Sequence, residues 1–430
     1  MSKENGIKLG IGRATHILAE EIKNSSSLFY CIILGVYQSG RFLEYVLFTN
    51  FSRMTLTLEA GISFILLILL GVYLESILVS AIRKRWVIVL ALILLVGFLF
   101  LCARMQRDKF DGLMIAILAV CAYGKDYRRI LKVMLAVAVA TVAIAMIGLP
   151  LGITVESPKV GLYGTGLAFG TAHPNVWGSY IFFIFVLVWY LFVKDKGKKL
   201  RISYLVTSWV LAVFMVLVPK CRTQALLLLL FPLTIWLSKR VTGFSMVKGR
   251  ILLHKSVLWI LVLFPIFCFV LTVFLGWQRE WLAVHTIGTY VENFSKRFIQ
   301  SGLAFREHGF PIFGELIRFR SGLVEELGGY KFSLYVLDNA YVTYTIYRGL
   351  IWMIPALLWL SFANWKIIKR GDYNLLTISI LFCLMGLMER YTLGVYNFVF
   401  LYPLAISMLA KDTTKEDSGQ PSTSGEEAST

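Results

Sequence analysis

The chain has 430 residues, 58% of them hydrophobic and only 16% charged, with a mean hydropathy of +0.73 and a formal net charge of +18. That composition excludes a water-soluble globular fold and describes a protein that uses lipid as its solvent. The basic residues are scattered among short loops and build no single patch, which argues against nucleic acid as a partner.

In chain order, a basic segment from Lys3 to Lys23 comes first. The apolar run that follows has no small-residue cleavage site, so residues 1–27 are expected to form a cytoplasmic N-terminal segment ahead of a retained anchor. A helix needs about 20 apolar residues to cross roughly 30 Å of hydrocarbon. Such runs recur about twelve times, at about 28–49, 56–81, 86–103, 111–124, 131–150, 173–193, 202–219, 223–238, 256–276, 338–362, 374–388 and 391–410. The fold expected is therefore an all-α polytopic membrane protein. Nine spans occupy residues 28–276, a long polar loop with short amphipathic helices fills 277–337, and three further spans fill 338–410. Strands of a β-barrel would alternate, whereas Phe64 to Leu70 is apolar on every face. The tail, 411–430, is rich in Ser, Thr, Glu and Gly and holds nothing that builds a core, so disorder is expected there.

Short loops rich in Lys and Arg stay in the cytoplasm. Arg83 to Arg85, Lys125 with Arg128 and Arg129, Lys194 to Arg201, Lys239 to Lys255, and Lys366 to Arg370 form one alternating set. This set puts both termini inside. The opposite set is expected outside: the loop around Arg104, the stretch 151–172, the turn Pro219-Lys220-Cys221-Arg222, the long loop, and Glu389-Arg390.

Four polar groups converge on that outer face. A glycine-rich stretch, Gly161 to Gly170, runs into His173-Pro174-Asn175 at the start of a span. Its spacing is not that of a dinucleotide fingerprint, and both a capped tight turn and a substrate-positioning role are open for His173 and Asn175. Lys220 and Arg222 lie in a turn so short that their charges must sit at the membrane surface, against the positive-inside tendency. In the long loop, the segments Asn293 to Arg297 and Leu303 to His308 read as parts of amphipathic helices, which the stretch Gly309 to Gly314 then breaks. Asp338, Asn339 and Tyr341 stand where the chain re-enters the membrane. There a carboxylate either caps a helix, pairs with arginine or serves as a base. Arg41 and Arg348 fall two turns or more inside their spans. The six cysteines lie singly, without metal or redox spacing, so no metal site and no disulfide framework are expected.

The order of these features resembles the O-antigen polymerase and ligase superfamily, the Wzy-type polysaccharide polymerases and WaaL-type ligases of bacterial envelopes. The resemblance covers most of the chain beyond about Gly161. It rests on His173-Pro174-Asn175, on the outer-edge arginine in Cys221-Arg222-Thr223, and on Ser295-Lys296-Arg297 followed by Phe305 and Pro311 to Gly314. Leu337 to Tyr341 with Gly349 completes it. Ligases tend to carry His where this chain has Asp338, and an arginine often precedes the Pro-Asn element where this chain has Lys159, which tilts the resemblance toward polymerase.

What the resemblance implies is transfer of an undecaprenyl-diphosphate-linked oligosaccharide onto another lipid-linked chain. The reaction takes place outside the bacterial cytoplasmic membrane, without cofactor or required metal, and inverts the anomeric centre. Flippase and chain-length regulator proteins would be partners, beside membrane lipid. The residue types suit that chemistry, because a departing diphosphate needs fixed positive charge and an incoming hydroxyl needs a base. Arg222, Arg297 and Arg306 are the candidate cations, with Lys220 beside Arg222. Asp338 is the first candidate base, with His308 or Glu307 the second. His173, Asn175, Asn339 and Tyr341 are expected to bind or position substrate, and Trp277, Trp281, Tyr330 and Tyr335 to stack on sugars. A ligase of the same superfamily and a flippase or other transporter remain the alternatives. Transporters gather their polar groups at mid-bilayer, and Arg41 and Arg348 are the residues that would favour one.

Overall fold

The structure is a computed structural model. It describes residues 27–40, 42–43, 46, 48, 118, 121–122, 125–157, 159–161, 164–244, 258–287, 289, 292–315, 324–327, 329–333 and 337–390. The expected spans at 56–81, 86–103 and 391–410, nearly all of 111–124, the tail, and Arg41 and Tyr335 lie outside the described residues.

What is described is mostly helical. In chain order come α1 (Ser27–Gly40), α2 (Tyr127–Gly148), the hairpin β1–β2 (Lys159–Gly161 and Gly164–Gly166), α3 (Pro174–Val188) continued by a π-helical turn (Trp189–Val193), α4 (Lys198–Leu217) and α5 (Arg222–Phe244). There follow α6 (Phe264–Trp277), α7 (Arg279–Thr286), α8 (Glu292–His308), the hairpin β3–β4 (Val324–Leu327 and Tyr330–Ser333), α9 (Ala340–Arg348), α10 (Leu350–Lys369) and α11 (Tyr373–Met388). Both hairpins are antiparallel pairs, so the all-α expectation holds apart from two small ribbons in the loops.

Among the described residues, four helices are long and apolar enough to cross a membrane: α2, α3 with its π-helical turn, α4 and α10. A fifth span is obtained if the bent pair α6–α7 is counted as one. The sequence dictates these helices directly, through long apolar runs and, for α2, α3 and the shorter α11, a side-chain cap at the start. Asp126 accepts a hydrogen bond from the Arg128 N–H at 2.9 Å to cap α2, and Asp372 accepts one from the Leu375 N–H at 3.1 Å to cap α11. On α4, Trp209, Val210, Val213 and Leu217 all point outward, an arrangement stable only where lipid is the solvent.

Helices α3 and α11 form an antiparallel pair clasped along its length. Phe182 and Phe183 both meet Phe382 edge-on, with ring centroids 5.8 and 6.1 Å apart. At one end the Trp189 indole N–H donates to Asn374 Oδ1 at 3.1 Å, and the Tyr190 hydroxyl to Asp372 Oδ2 at 2.7 Å. Buried polar groups in an apolar interior must find such partners, so each fixes register as well as contact. Gln224 ties α5 to α3 by donating to Ser179 Oγ at 3.0 Å and to the Asn175 carbonyl at 3.2 Å.

Two departures from the expected spans concern the segment that carries the polar residues. A single helix over 338–362 is expected, but the chain forms α9 and α10 with a break at Gly349. Gly349 has φ +81°, and a Cβ there would fall 2.2 Å from the Ile312 carbonyl oxygen. That close approach lets the loop before it act as a cap: the carbonyls of Pro311 and Ile312 accept from the N–H groups of Leu350 and Ile351 at 2.9 and 3.1 Å.

The second departure follows from the first. Asn364 on α10 accepts a hydrogen bond from Ser379 on α11 at 2.6 Å. From that level α10 rises about 21 Å to Leu350, and α11 about 15 Å to Glu389, at 1.5 Å per residue. Arg348 therefore stands at the helix ends rather than inside a span, its guanidinium 5.0 Å from the rings of Tyr344 and Trp352.

Helix α8 crosses the end of α6 where Gly276 and Gly302 touch; a Cβ on Gly302 would lie 2.0 Å from the Gly276 carbonyl oxygen. Gly302→Ala is expected to push the helices apart and cost about 1–3 kcal/mol, the usual range for overpacking. Thermal unfolding of the detergent-solubilised variant checks this, and an unchanged melting temperature would contradict the crossing.

Candidate functional site

The crossing of α8 over α6 places Arg297 above the ends of α3, α9 and α11, and polar residues of these elements and of α5 meet there. Glu389 is the centre. It follows the last residue of α11, its N–H donates to the Met385 carbonyl at 2.8 Å, and its side chain is only 1% exposed. One carboxylate oxygen, Oε1, accepts from Asn175 Nδ2 at 3.0 Å and from Arg297 Nη1 at 3.3 Å. The Thr223 hydroxyl, in the first turn of α5, donates to the same carboxylate. The other arm of the Arg297 guanidinium, Nη2, lies 3.7 Å from Asp338 Oδ2. Arg297 is thus held by two carboxylates of different character, since the Asp338 side chain is 33% exposed and that of Glu389 is sealed.

The local sequence explains how each group arrives. Pro174 opens α3, where its missing N–H is not needed, and His173 Nδ1 accepts from the Asn175 N–H at 3.0 Å as the cap. Capping turns the Asn175 amide out of the helix start toward Glu389. The Cys221 thiol bonds to the Pro174 carbonyl at 2.9 Å, which presses the Pro219–Arg222 turn against the same helix end. Asn339 caps α9: its Oδ1 accepts from the Val342 N–H at 3.3 Å, and its Nδ2 donates to Thr272 Oγ1 at 3.2 Å and to the Leu387 carbonyl at 3.0 Å. Asp338, one residue earlier, is thereby set beside α11 and under Arg297.

The structure sorts the residues singled out in the sequence. Arg297, Asp338 and Asn175 come together. Arg222 is exposed and adjoins Thr223, so it lies on the rim of the same cluster. Lys220 adopts φ +60° in the turn, with its Cβ and Cγ packed against Gly166 of β2. His173 serves as a cap, and Asn339 and Tyr341 are fully buried scaffold. Tyr341 donates to the Cys383 carbonyl at 3.0 Å while its ring covers Gly386. None of these three faces an open site.

Two expected site residues fall elsewhere. At about 100° per residue Arg306 lies on the opposite side of α8 from Arg297 and about 14 Å along it, and His308 lies about 16 Å along. His308 instead meets Glu315 at 3.4 Å and Glu307 at 3.9 Å. Helical geometry alone separates them from Asp338, so the structure brings Arg297 beside Asp338 and sets Arg306 and His308 apart from it.

Glu389 is the residue that reading the sequence passed over. Its signal was present: an acid directly after sixteen uninterrupted helical residues of an apolar span, which is costly unless paired.

Burial pushes the Glu389 carboxyl up from its ordinary 4.5 to about 7. Arg297 opposes that shift and the nearby Asp338 charge adds to it. The folded protein therefore holds a proton at pH values where the unfolded chain has released it. The stability linked to that proton is fully present below about pH 4.5 and is lost as pH rises through about 7. Thermal unfolding followed from pH 5 to pH 8 should show the melting temperature falling, with a shallower slope in Glu389→Gln. A slope unchanged by that substitution would remove Glu389 as its source.

Comparison of the chain with family models, with curated proteins and with solved structures returns no match.

Proposed function

We propose that this protein is a membrane glycosyltransferase that polymerises lipid-diphosphate-linked oligosaccharide repeat units into a surface polysaccharide at the outer face of a bacterial cytoplasmic membrane. The observation that carries the reading is the position of Arg297, held at the ends of apolar helices between Asp338, which is open to solvent, and Glu389, which is not. A lipid diphosphate floats with its charge at the height of helix ends, and a guanidinium offers it a planar fork of permanent charge.

In the reaction, an acceptor hydroxyl gives its proton to Asp338 as its oxygen bonds to the anomeric carbon of the donor. The bond from that carbon to the diphosphate oxygen breaks, the electron pair stays on the diphosphate, and Arg297 stabilises the developing charge in place of a metal ion. Attack opposite the leaving group inverts the anomeric centre. Arg297 can leave Asp338 for the diphosphate without swinging free, because Glu389, itself bonded to Asn175, retains its other arm. Arg222 on the rim supplies a second cation to the same anion.

Arg348 at the helix ends, with the helix break at Gly349 beside it, supports this reading over a transporter, whose polar groups would gather at mid-bilayer.

Purified protein supplied with a defined lipid-diphosphate repeat unit should yield a ladder of longer lipid-linked glycans on a gel. Passage of intact substrate between leaflets without lengthening would instead identify a flippase, and transfer onto a different lipid acceptor a ligase. Arg297→Ala and Asp338→Asn should each slow the ladder by about 100-fold or more, the loss typical of removing one preorganised stabilising group. Full activity in both would sink the assignment.

A further inference from the structure

We infer that α7 is a membrane-surface anchor, with Trp277, Trp281 and Val284 immersed in the boundary between headgroups and acyl chains on the Glu389 side of the bilayer. The geometry starts from length. Helical turns from Leu258 to Val262 precede α6, and the Leu263 and Phe267 N–H groups bond back to Trp259 and Leu263 at 2.8 and 2.9 Å across the junction. The stretch from Leu258 to Trp277 is therefore about 30 Å long at 1.5 Å per residue, which is already a complete crossing. Helix α7 is surplus to it. The chain then bends by 74°, which lays α7 nearly square to α6.

The exposed apolar stripe follows the bend. Phe267, Val270 and Phe274 face outward from α6, and the stripe continues through Trp277, 79% exposed, to Trp281 and Val284, at 56% and 58%. In water these three would form an apolar ledge with nothing to cover it. Within the hydrocarbon, Arg279 and Glu280 would be as costly. Only the interface satisfies both, and tryptophan is the residue that prefers it.

Arg279 adds an independent sign. It forms no ion pair among the described residues, and its Nε is shielded without a hydrogen-bond partner. At the elbow between a span and a surface helix the available anion is a lipid phosphate.

The level agrees with the rest of the fold. Thr272, about 6 Å before Gly276 on α6, accepts from Asn339, which neighbours Asp338. The elbow therefore lies within about one helical turn of the Arg297 cluster. Leu282, Ala283 and Thr286, on the other side of α7, are buried, and α7 packs on α8. An anchor at this point fixes the height of α8, and so of Arg297, against the lipid phosphates. The inference rests on exposure and bend alone and holds whether or not glycan transfer is the activity.

Spin labels at Trp281→Cys and Val284→Cys, in a variant with its native cysteines replaced by Ala, test it in phosphatidylethanolamine–phosphatidylglycerol liposomes. Collision rates with oxygen and with a water-soluble nickel chelate are calibrated by lipids labelled at known depth. Both labels should read at or just below the phosphate level, with oxygen collisions several-fold above those of an aqueous label. Labels open to nickel as in water would overturn the anchor, as would labels closed to both probes, which would mean that protein covers the ledge. Should the cysteine replacements prevent folding, brominated lipids offer a second measurement on otherwise unaltered protein. They should quench tryptophan emission less in the Trp277→Phe, Trp281→Phe double variant than in the parent, and equal quenching would overturn the inference.

Discussion

The sealed carboxylate of Glu389 is the constraint around which the described part of the molecule is organised. An ionised acid among apolar helix ends costs several kcal/mol unless it is surrounded by donors, and here α3, α5 and α8 each contribute one, from Asn175, Thr223 and Arg297. The starts of α3 and α5 and the crossing of α8 are thereby set at the same height as the end of α11. Their other contacts, the Phe182 and Phe183 edges on Phe382 and the Tyr190 bond to Asp372, keep α3 and α11 from sliding. With the pair locked along its length, the polar end has little freedom to relax.

That same arrangement has a charge imbalance: two carboxylates face one guanidinium. Burial raises the affinity of Glu389 for a proton, and the Asp338 charge adds to that rise. With the proton bound, the Arg297 and Asp338 pair is neutral and the guanidinium is free to exchange its exposed partner. Under the proposed function, an incoming diphosphate would compete with Asp338 alone, the inner contact holding the arginine while the outer one is displaced.

Much of this was legible in the residues. Helix positions from α2 onward follow from apolar runs and capping residues, because in lipid every backbone group must be satisfied within the segment and a helix is the simplest way to do so. Arg297, Asp338 and Asn175 stood out because charges and amides at span ends are rare and expensive. Three things were not legible. Gly349 belongs to the resemblance but falls inside the expected span 338–362, and only the loop carbonyl 2.2 Å from its would-be Cβ shows why the helix must break there. Arg306 and Arg297 share a helix, and which of the two turns toward Asp338 depends on how α8 crosses α6. Asn339 and Tyr341 resembled site residues, but their polar atoms are consumed by Leu387, Thr272 and Cys383.

The crossing of α8 over α6 is therefore where local sequence and distant function join. Glycines at 276 and 302 permit backbone contact that no other residue pair allows, and that contact brings the face bearing Arg297 down onto the helix ends. Ser295 and Ser301 on α8 are buried, and Ser301 returns its hydroxyl to the Arg297 carbonyl at 2.7 Å, so that small polar residue faces the neighbouring helices with its bond made within α8. A polar loop segment can in this way pack tightly against apolar spans. Arg297 then enters the cluster already oriented, so the entropy of fixing a flexible arginine is spent in folding.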